Sequence, residues 1–292
     1  MAYADPCVRA SDKYCLTFGR GEPSFAVYNS FVQIYREITD FPIYDAAVGD
    51  NGYFAIVTRS RDYTSEVIIY NDSMEKLANY HLNGYVTGIS MNREGNRLGI
   101  VSAESVNGLW ETKVTLIRMD HRISQSSASL SGVFGSTCGF VDDDRLAVVY
   151  SDRLIVWGTD ATVKGEFIFR GNTPTLCTIA DGRVAVLSKV DASISEKILQ
   201  VFDKNGRADY EVQLDASHPI QLEGNAVEMV FGGNSLYIRT VDKLFRLSDN
   251  GKDLYGTVIS RDTLTMLATD DEVLICTPAY AARLHHDDFS KE

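Results

Sequence analysis

A single unit recurs seven times along this chain, and no other feature restricts its fold as strongly. The unit is a strand of small residues, an acidic or glycine turn, and a strongly apolar strand. Six copies are plain: DAAVGDNGYFAIVT (45–58), TGISMNREGNRLGIVS (87–102), TCGFVDDDRLAVVY (137–150), LCTIADGRVAVLS (176–188), VEMVFGGNSLYIRT (227–240) and LTMLATDDEVLICT (264–277). VRASDKYCLTFG (8–19) is a weaker seventh at the front. A third apolar strand follows each pair, as FAVYNS (25–30), VIIYND (67–72), TLIRMD (115–120), LIVWGTD (154–160), LQVFDKNG (199–206), KLFRLSDNG (243–251) and AARLHHDD (281–288). The last apolar residues before the turns are Tyr28, Tyr70, Met119, Trp157, Phe202, Leu247 and Leu284, at a mean spacing of about 43 residues, the period of four-stranded propeller blades.

Between these segments lie Asp, Asn, Gly and Ser clusters, and no stretch sustains a helical period. The reading is all-β: a seven-bladed β-propeller of four-stranded antiparallel blades, forming one domain over 1–292. A four-stranded sheet has two apolar faces, and radial stacking buries both against neighbouring blades while leaving only short edges. The 45% hydrophobic content supplies the core this needs. The final copy stops after its third strand, at HHDDFSKE, so closure is expected to draw on the N-terminal residues or on sequence outside this chain.

The repeat also disarms the segments that look like metal sites. FDKNGRADYEVQLD (202–215) gathers Asp203, Asn205, Gly206, Asp209 and Glu211, but an EF-hand needs its glycine at the sixth position and here it stands at the fourth. Asn71-Asp72-Ser73, Asp120-His121, Gly158-Thr159-Asp160 and Ser248-Asp249-Asn250-Gly251 fill the same slot in other copies, so a hairpin turn is predicted. His285-His286-Asp287-Asp288 falls in that slot too, and Asp142-Asp143-Asp144 falls in the turn between first and second strands. No metal, cofactor or catalytic residue is therefore assigned. The chain has no glycine-rich loop before a helix and no G-x-S-x-G elbow.

Five cysteines (Cys7, Cys15, Cys138, Cys177, Cys276) without a CxxC pair make neither a disulfide framework nor a zinc site. Cys138 and Cys177 align with Ala46 on first strands, where a small buried residue is expected. Cys7 and Cys15 face each other across the first hairpin turn, and free thiols are favoured there over a bridge. A net charge of −12 and a pI of 4.9 repel phosphate backbones, so no nucleic-acid partner is expected. The start, MAYADPCVRASDKY, has neither the basic nor the apolar region of a signal peptide, and no run is long enough to span a bilayer, so the expectation is either a cytoplasmic protein or one whose export signal lies outside this chain.

Function should therefore sit on long connections. TRSRDYTSE (58–66), SAESVNGLWET (102–112) and SKVDASISEK (188–197) read as long loops between second and third strands, and SQSSASLSGVFGS (124–136) and LDASHPIQLEGN (214–225) as long connectors between blades. The first two bring Tyr63 and Trp110 to one rim, the candidate contact surface for a protein or glycan ligand, with Trp110 also suited to capping its own blade. Glu228 stands where other copies carry Ala46, Cys138 and Cys177. It puts a charge near the axis, either as a hydrogen-bonded lining or as a ligand contact.

The repeat lacks the WD dipeptide of WD40 blades, and only the sixth copy has a kelch-like double glycine. FAVYNSFVQIY (25–35), FPIYDAAVGDNGYFAIVT (41–58) and VIIYND (67–72) resemble an uncharacterised bacterial family, a domain of unknown function found behind one N-terminal membrane anchor in Gram-positive gut bacteria. The resemblance implies an extracytoplasmic, membrane-anchored propeller whose anchor lies outside this chain. It carries no catalytic residues. Two functions follow: a monomeric, non-enzymatic binding module, or a hydrolase or lyase acting on a carbohydrate or lactone at the channel mouth. A propeller enzyme gathers polar residues onto inner-strand ends, whereas these strands carry mainly Ala, Val, Cys, Met, Thr and Gly. That favours binding.

Overall fold

The computed structural model describes residues 3–119, 123–190, 196–214 and 225–291. Its strands form seven antiparallel sheets, the blades of a seven-bladed β-propeller. The chain divides into two compact units, residues 1–165 and 166–292.

The first unit opens with blade 1, made of β1 (Pro6–Ala10), β2 (Tyr14–Gly19), β3 (Ser24–Asn29) and β4 (Gln33–Ile38). Blade 2 is β5 (Ile43–Val48), β6 (Phe54–Thr58), β7 (Ser65–Tyr70) and β8 (Lys76–Leu82). Blade 3 is β9 (Tyr85–Met91), β10 (Arg97–Val106), β11 (Leu109–Arg118) and β12 (Ser124–Ser131). Blade 4 is β13 (Gly135–Asp142), β14 (Arg145–Tyr150), β15 (Arg153–Gly158) and β16 (Val163–Ile168), the last running on past residue 165.

In the second unit, blade 5 is β17 (Asn172–Ala180), β18 (Arg183–Val190), β19 (Lys197–Asp203) and β20 (Ala208–Gln213). Blade 6 is β21 (Glu228–Gly232), β22 (Ser235–Arg239), β23 (Lys243–Leu247) and β24 (Leu254–Val258). Blade 7 is β25 (Thr265–Ala268), β26 (Glu272–Cys276) and β27 (Ala281–His285). A short strand, β28 (Ser290–Lys291), completes the described chain.

Each hydrophobic cluster draws on two consecutive blades, as radial stacking requires. Leu16, Phe18, Phe25 and Val27 of blade 1 meet Ala46, Phe54, Ile56 and Tyr70 of blade 2, with the Phe54 and Tyr70 rings stacked at 4.5 Å. In the second unit, Leu199 and Val201 of blade 5 meet Phe231, Ile238 and Phe245 of blade 6. First strands of neighbouring blades pack side by side: β5 on β9 and β9 on β13 in the first unit, β17 on β21 and β21 on β25 in the second. These strands carry Ala and Gly because their neighbours come close. A Cβ on Gly88 would lie 3.0 Å from the backbone of Cys138.

The seventh blade stops at three strands, as its sequence predicts, but the sixth has five rather than four. After His285 the chain makes a single 3-10 turn (His286–Asp288), and β28 then pairs with β24. Phe289 explains this route. It is 7% exposed and packs with Tyr237 and Met266 in the cluster shared by blades 6 and 7.

Two segments expected to be loops are strands. SAESVNGLWET belongs to the ten-residue strands β10 and β11, joined by the tight turn Asn107-Gly108, whose φ angles of 52° and 81° suit this pair. Ser124–Ser131 of the expected connector is the outer strand β12, paired with β11 from Arg118 to Glu111. Residues 215–224 of the other expected connector, 191–195 of the 188–197 loop, and Asp120-His121 lie outside the described residues. Among the described residues no helix is long and apolar enough to cross a membrane.

Candidate functional site

Tyr63 lies in a true loop, residues 59–64, between the ends of β6 and β7. The loop leaves blade 2 as Thr58, buried at the strand end, donates its hydroxyl to the Arg59 carbonyl at 2.9 Å. The Tyr63 ring stacks on His81 at 5.0 Å, and His81 Nε2 lies 3.4 Å from Glu66 Oε1, which also accepts from Asn79 Nδ2 at 2.8 Å. The ring is thus held by a chain of contacts rooted in the outer strands of blade 2. Beside it is a pocket of about 470 Å³ lined by Phe41, Pro42, Arg59, Arg61, Tyr63 and Tyr85, among others. Tyr63 is 46% and Tyr85 65% exposed, so each leaves a large part of its aromatic surface to solvent. Arg59 and Arg61 have no ion-pair partner among the described residues, although acidic residues outnumber basic ones by 40 to 28. Two exposed tyrosines and two guanidinium groups without an ion-pair partner among the described residues thus share one pocket, a set chemically able to stack on a flat face and to donate to acceptor groups.

Trp110 sits near the tip of the extended β10–β11 hairpin, opposite Ser105 in the β10 register. Its indole packs edge-on against Phe134 at 5.2 Å, and its carbonyl accepts from Gly132 N at 2.7 Å. It therefore covers the connection from blade 3 to blade 4 while staying 48% exposed beside Leu109, which is 61% exposed. Tyr63 and Trp110 both stand at connections between second and third strands, in consecutive blades. Tyr63 lines its pocket with Tyr85, and Trp110 packs on Phe134. Sequence reasoning missed Tyr85, Arg59 and Arg61. Tyr85 opens the first strand of the next blade, and its place beside Tyr63 depends on pairing that the linear sequence does not display.

Glu228, on β21, is tied down from both sides. Its Oε2 accepts from Arg239 Nε at 2.8 Å, and its Oε1 accepts from Thr265 Oγ1 at 2.6 Å and Met266 N at 3.4 Å. Arg239 in turn donates to the carbonyls of Thr263 at 3.0 Å and Leu264 at 3.1 Å. The pair fastens blade 6 to the entry of blade 7, and the carboxylate has a counter-charge and donors on both oxygens.

The segment 203–207 is the β19–β20 turn. Asp203 Oδ1 accepts from Asn205 N at 2.8 Å and Arg207 N at 2.9 Å, and Oδ2 accepts from Asn205 Nδ2 at 3.0 Å. Gly206 takes φ 72°, the left-handed conformation this turn demands. Burial raises the Asp203 carboxyl, but the hydrogen bonds from Arg207 and Asn205 outweigh it and hold the group below its ordinary value. In the 285–288 segment, Asp288 Oδ2 accepts from His285 N at 2.7 Å, and His286 Nε2 is 3.0 Å from Tyr237 Oη. Among the described residues no group of three His, Cys, Asp or Glu side chains is placed to hold a metal ion.

All five cysteines are free thiols. Cys7 pairs in register with Phe18, and Cys15 with Ala10, so the two do not face each other. Cys138 and Cys177 are partly buried, short of the full burial that their alignment with Ala46 predicts. Burial pushes the Cys177 thiol up to about 11, and it pushes Cys138 up as well, with a contribution from the Asp45 charge. Both are held protonated near neutrality, which suits packing rather than nucleophilic attack.

A family model described as a family of unknown function (DUF5711) matches residues 1–280. No relative was found among curated protein sequences. The fold is similar to the β-propeller domain of Cps50 (Swd1) from Myceliophteria thermophila, with a TM-score of 0.64 and 8% identity over 95% of this chain and 94% of that one. It is also similar to hydrazine synthase of Kuenenia stuttgartiensis, with a TM-score of 0.63 and 10% identity over 99% of this chain and 97% of that one. BamB from Moraxella catarrhalis has a TM-score of 0.53 and 9% identity over 95% of each chain. At such identities the likeness is one of fold alone.

Proposed function

Since the chain belongs to the DUF5711 family, whose function is unknown, we propose its role from the geometry: a non-enzymatic binding module that engages a protein or glycan at the Tyr63 face. The pocket beside Tyr63 carries this reading. It combines two exposed tyrosines with two arginines that have no acidic partner among the described residues, in a chain of net charge −12. Exposed aromatic surface and unpaired guanidinium groups are what a ligand would satisfy and what a purely structural loop has no use for. Trp110 and Leu109, exposed at the equivalent hairpin of the next blade, are a second set of candidate contacts. A hydrolase or lyase site at the channel mouth would draw on Glu228, and a carboxylate held by Arg239, Thr265 and Met266 is poorly placed to transfer a proton or attack a substrate. The family resemblance adds an extracytoplasmic setting to this reading, with the propeller held to a membrane by a segment outside the chain.

The test is a screen of the purified protein against neutral and acidic glycans, peptidoglycan fragments and secreted proteins. Tyr63→Ala, Tyr85→Ala and Trp110→Ala serve as separate probes. Binding that weakens about tenfold or more in Tyr63→Ala and Tyr85→Ala is expected, the loss of an aromatic anchor. Ligand binding untouched by all three variants removes the surface. Turnover of a glycoside or lactone that disappears in Glu228→Gln overturns the non-enzymatic reading.

A further inference from the structure

The pocket beside Tyr63 holds more hydrogen-bonding capacity than the protein itself uses. Arg59, Ser60, Arg61, Tyr63 and Thr64 line it from one loop, and Tyr85 lines it from the start of β9. Among the described residues, none of these six guanidinium and hydroxyl groups makes a hydrogen bond or ion pair. Neighbouring carboxylates do not fill the gap. Asp62 stands between the two arginines in sequence and pairs with neither, and no acidic residue lines the pocket. Glu66 is turned to Asn79 Nδ2 at 2.8 Å and His81 Nε2 at 3.4 Å.

Each kind of group asks for something different from a ligand. Guanidinium groups only donate, and their planar fork matches a carboxylate through two parallel bonds. The hydroxyls of Ser60, Thr64, Tyr63 and Tyr85 both donate and accept, so they match a ligand that carries hydroxyls of its own. The two tyrosine rings match a flat apolar face. The Tyr63 ring is already stacked on His81 at 5.0 Å, so little ordering remains to be done when a ligand arrives. At about 470 Å³ the cavity falls in the size range of small-molecule sites.

We infer that the ligand taken here is a hexuronate unit of an acidic glycan, an assignment that rests on the binding role of the Tyr63 face and names its ligand class. A uronate ring combines all three features in one residue: a C–H face for the tyrosines, hydroxyls for Ser60 and Thr64, and a planar carboxylate at the ring edge for Arg59 and Arg61. A neutral sugar leaves both guanidinium groups without a partner. An acidic peptide satisfies them but brings neither a flat ring face nor a row of hydroxyls. Both arginines are exposed, so each contact with the carboxylate is modest and sensitive to salt.

Calorimetric titration of the whole chain with trigalacturonate at neutral pH tests this. Its methyl ester keeps the rings and removes the charge, and hexaglutamate keeps charge without rings. Trigalacturonate should bind about fivefold or more tightly than either, and the margin should shrink as salt is raised. Arg59→Gln and Arg61→Gln should each weaken the acid about threefold and leave the ester unchanged, with no shift in melting temperature because both side chains are exposed. Tyr63→Ala should weaken acid and ester alike. An ester that binds as tightly as the acid, with both lost in Tyr63→Ala, overturns the uronate assignment and leaves the Tyr63 face standing. Hexaglutamate binding as tightly as trigalacturonate, no binding of trigalacturonate, or binding unchanged in both arginine variants also overturns the assignment. Trigalacturonate bound equally well by Tyr63→Ala and Tyr85→Ala removes the face and the assignment together.

Discussion

Replacing Glu228 by alanine separates a structural fastening from a reactive carboxylate. The substitution removes the counter-charge of Arg239, which is 9% exposed, and deletes the acceptor for Thr265 Oγ1 and Met266 N. Arg239 would keep only the carbonyls of Thr263 and Leu264. Breaking a buried pair from one side costs about 3–5 kcal/mol, and the lower end applies because the Glu228 side chain keeps 22% of its surface. At this chain length about 3 kcal/mol corresponds to a fall of roughly 6 °C in melting temperature. Glu228→Gln retains an oxygen for Thr265 but loses the charge, and should lie between, at about 1–2 kcal/mol. Urea unfolding followed by far-UV circular dichroism, with tryptophan fluorescence as a second probe, measures both. If Glu228→Ala unfolds within about 0.5 kcal/mol of the parent, the fastening contributes nothing and the carboxylate is available for chemistry after all.

Three further outcomes follow from other parts of the molecule. Phe289→Ala should cost about 3 kcal/mol in the same unfolding assay, since Phe289 anchors β28 in the cluster of Tyr237 and Met266; a surface-sized effect would mean the tail is not docked. Asp203→Ala should cost about 1 kcal/mol at neutral pH, and neither calcium nor a chelator should shift the melting temperature of the parent protein. Because the folded-state pKa of Asp203 is depressed, its contribution is present above the unfolded value and is lost as pH falls below about 4, so the variant should show a flatter acid limb in a stability–pH curve. Cys177, its thiol raised to about 11, should react with iodoacetamide at pH 7 more slowly than a free cysteine by a factor on the order of a hundred, read by mass spectrometry.

The architecture was legible because a blade needs the same chemistry seven times over. Tyr70, Trp157 and Phe202 end their third strands at one spacing since each fills the same space between blades, and all are buried. Reading failed where a strand needs little apolar surface. β12, SQSSASLS, is an outer strand that half-buries only alternate side chains such as Ala128 and Leu130, and serine suffices on its other face. Ser105 and Glu104 of β10 run past the blade core into a hairpin whose polar residues face solvent, so a strand looked like a loop. Sites obey the opposite logic, appearing where one copy breaks the rule the others keep. Glu228 was visible in that way, and its partner Arg239 was recoverable too, since a tight β21–β22 hairpin puts the two in register. Gln200 breaks the rule in the third strand, yet an amide among apolar neighbours signals nothing until its partner is known. Gln200 Nε2 donates to Glu211 Oε2 at 2.7 Å across the β19–β20 register, and that pairing is a property of the fold alone. The departures that matter in such a chain are therefore polar side chains in strand slots where sister blades are apolar, weighed by what stands opposite them in register.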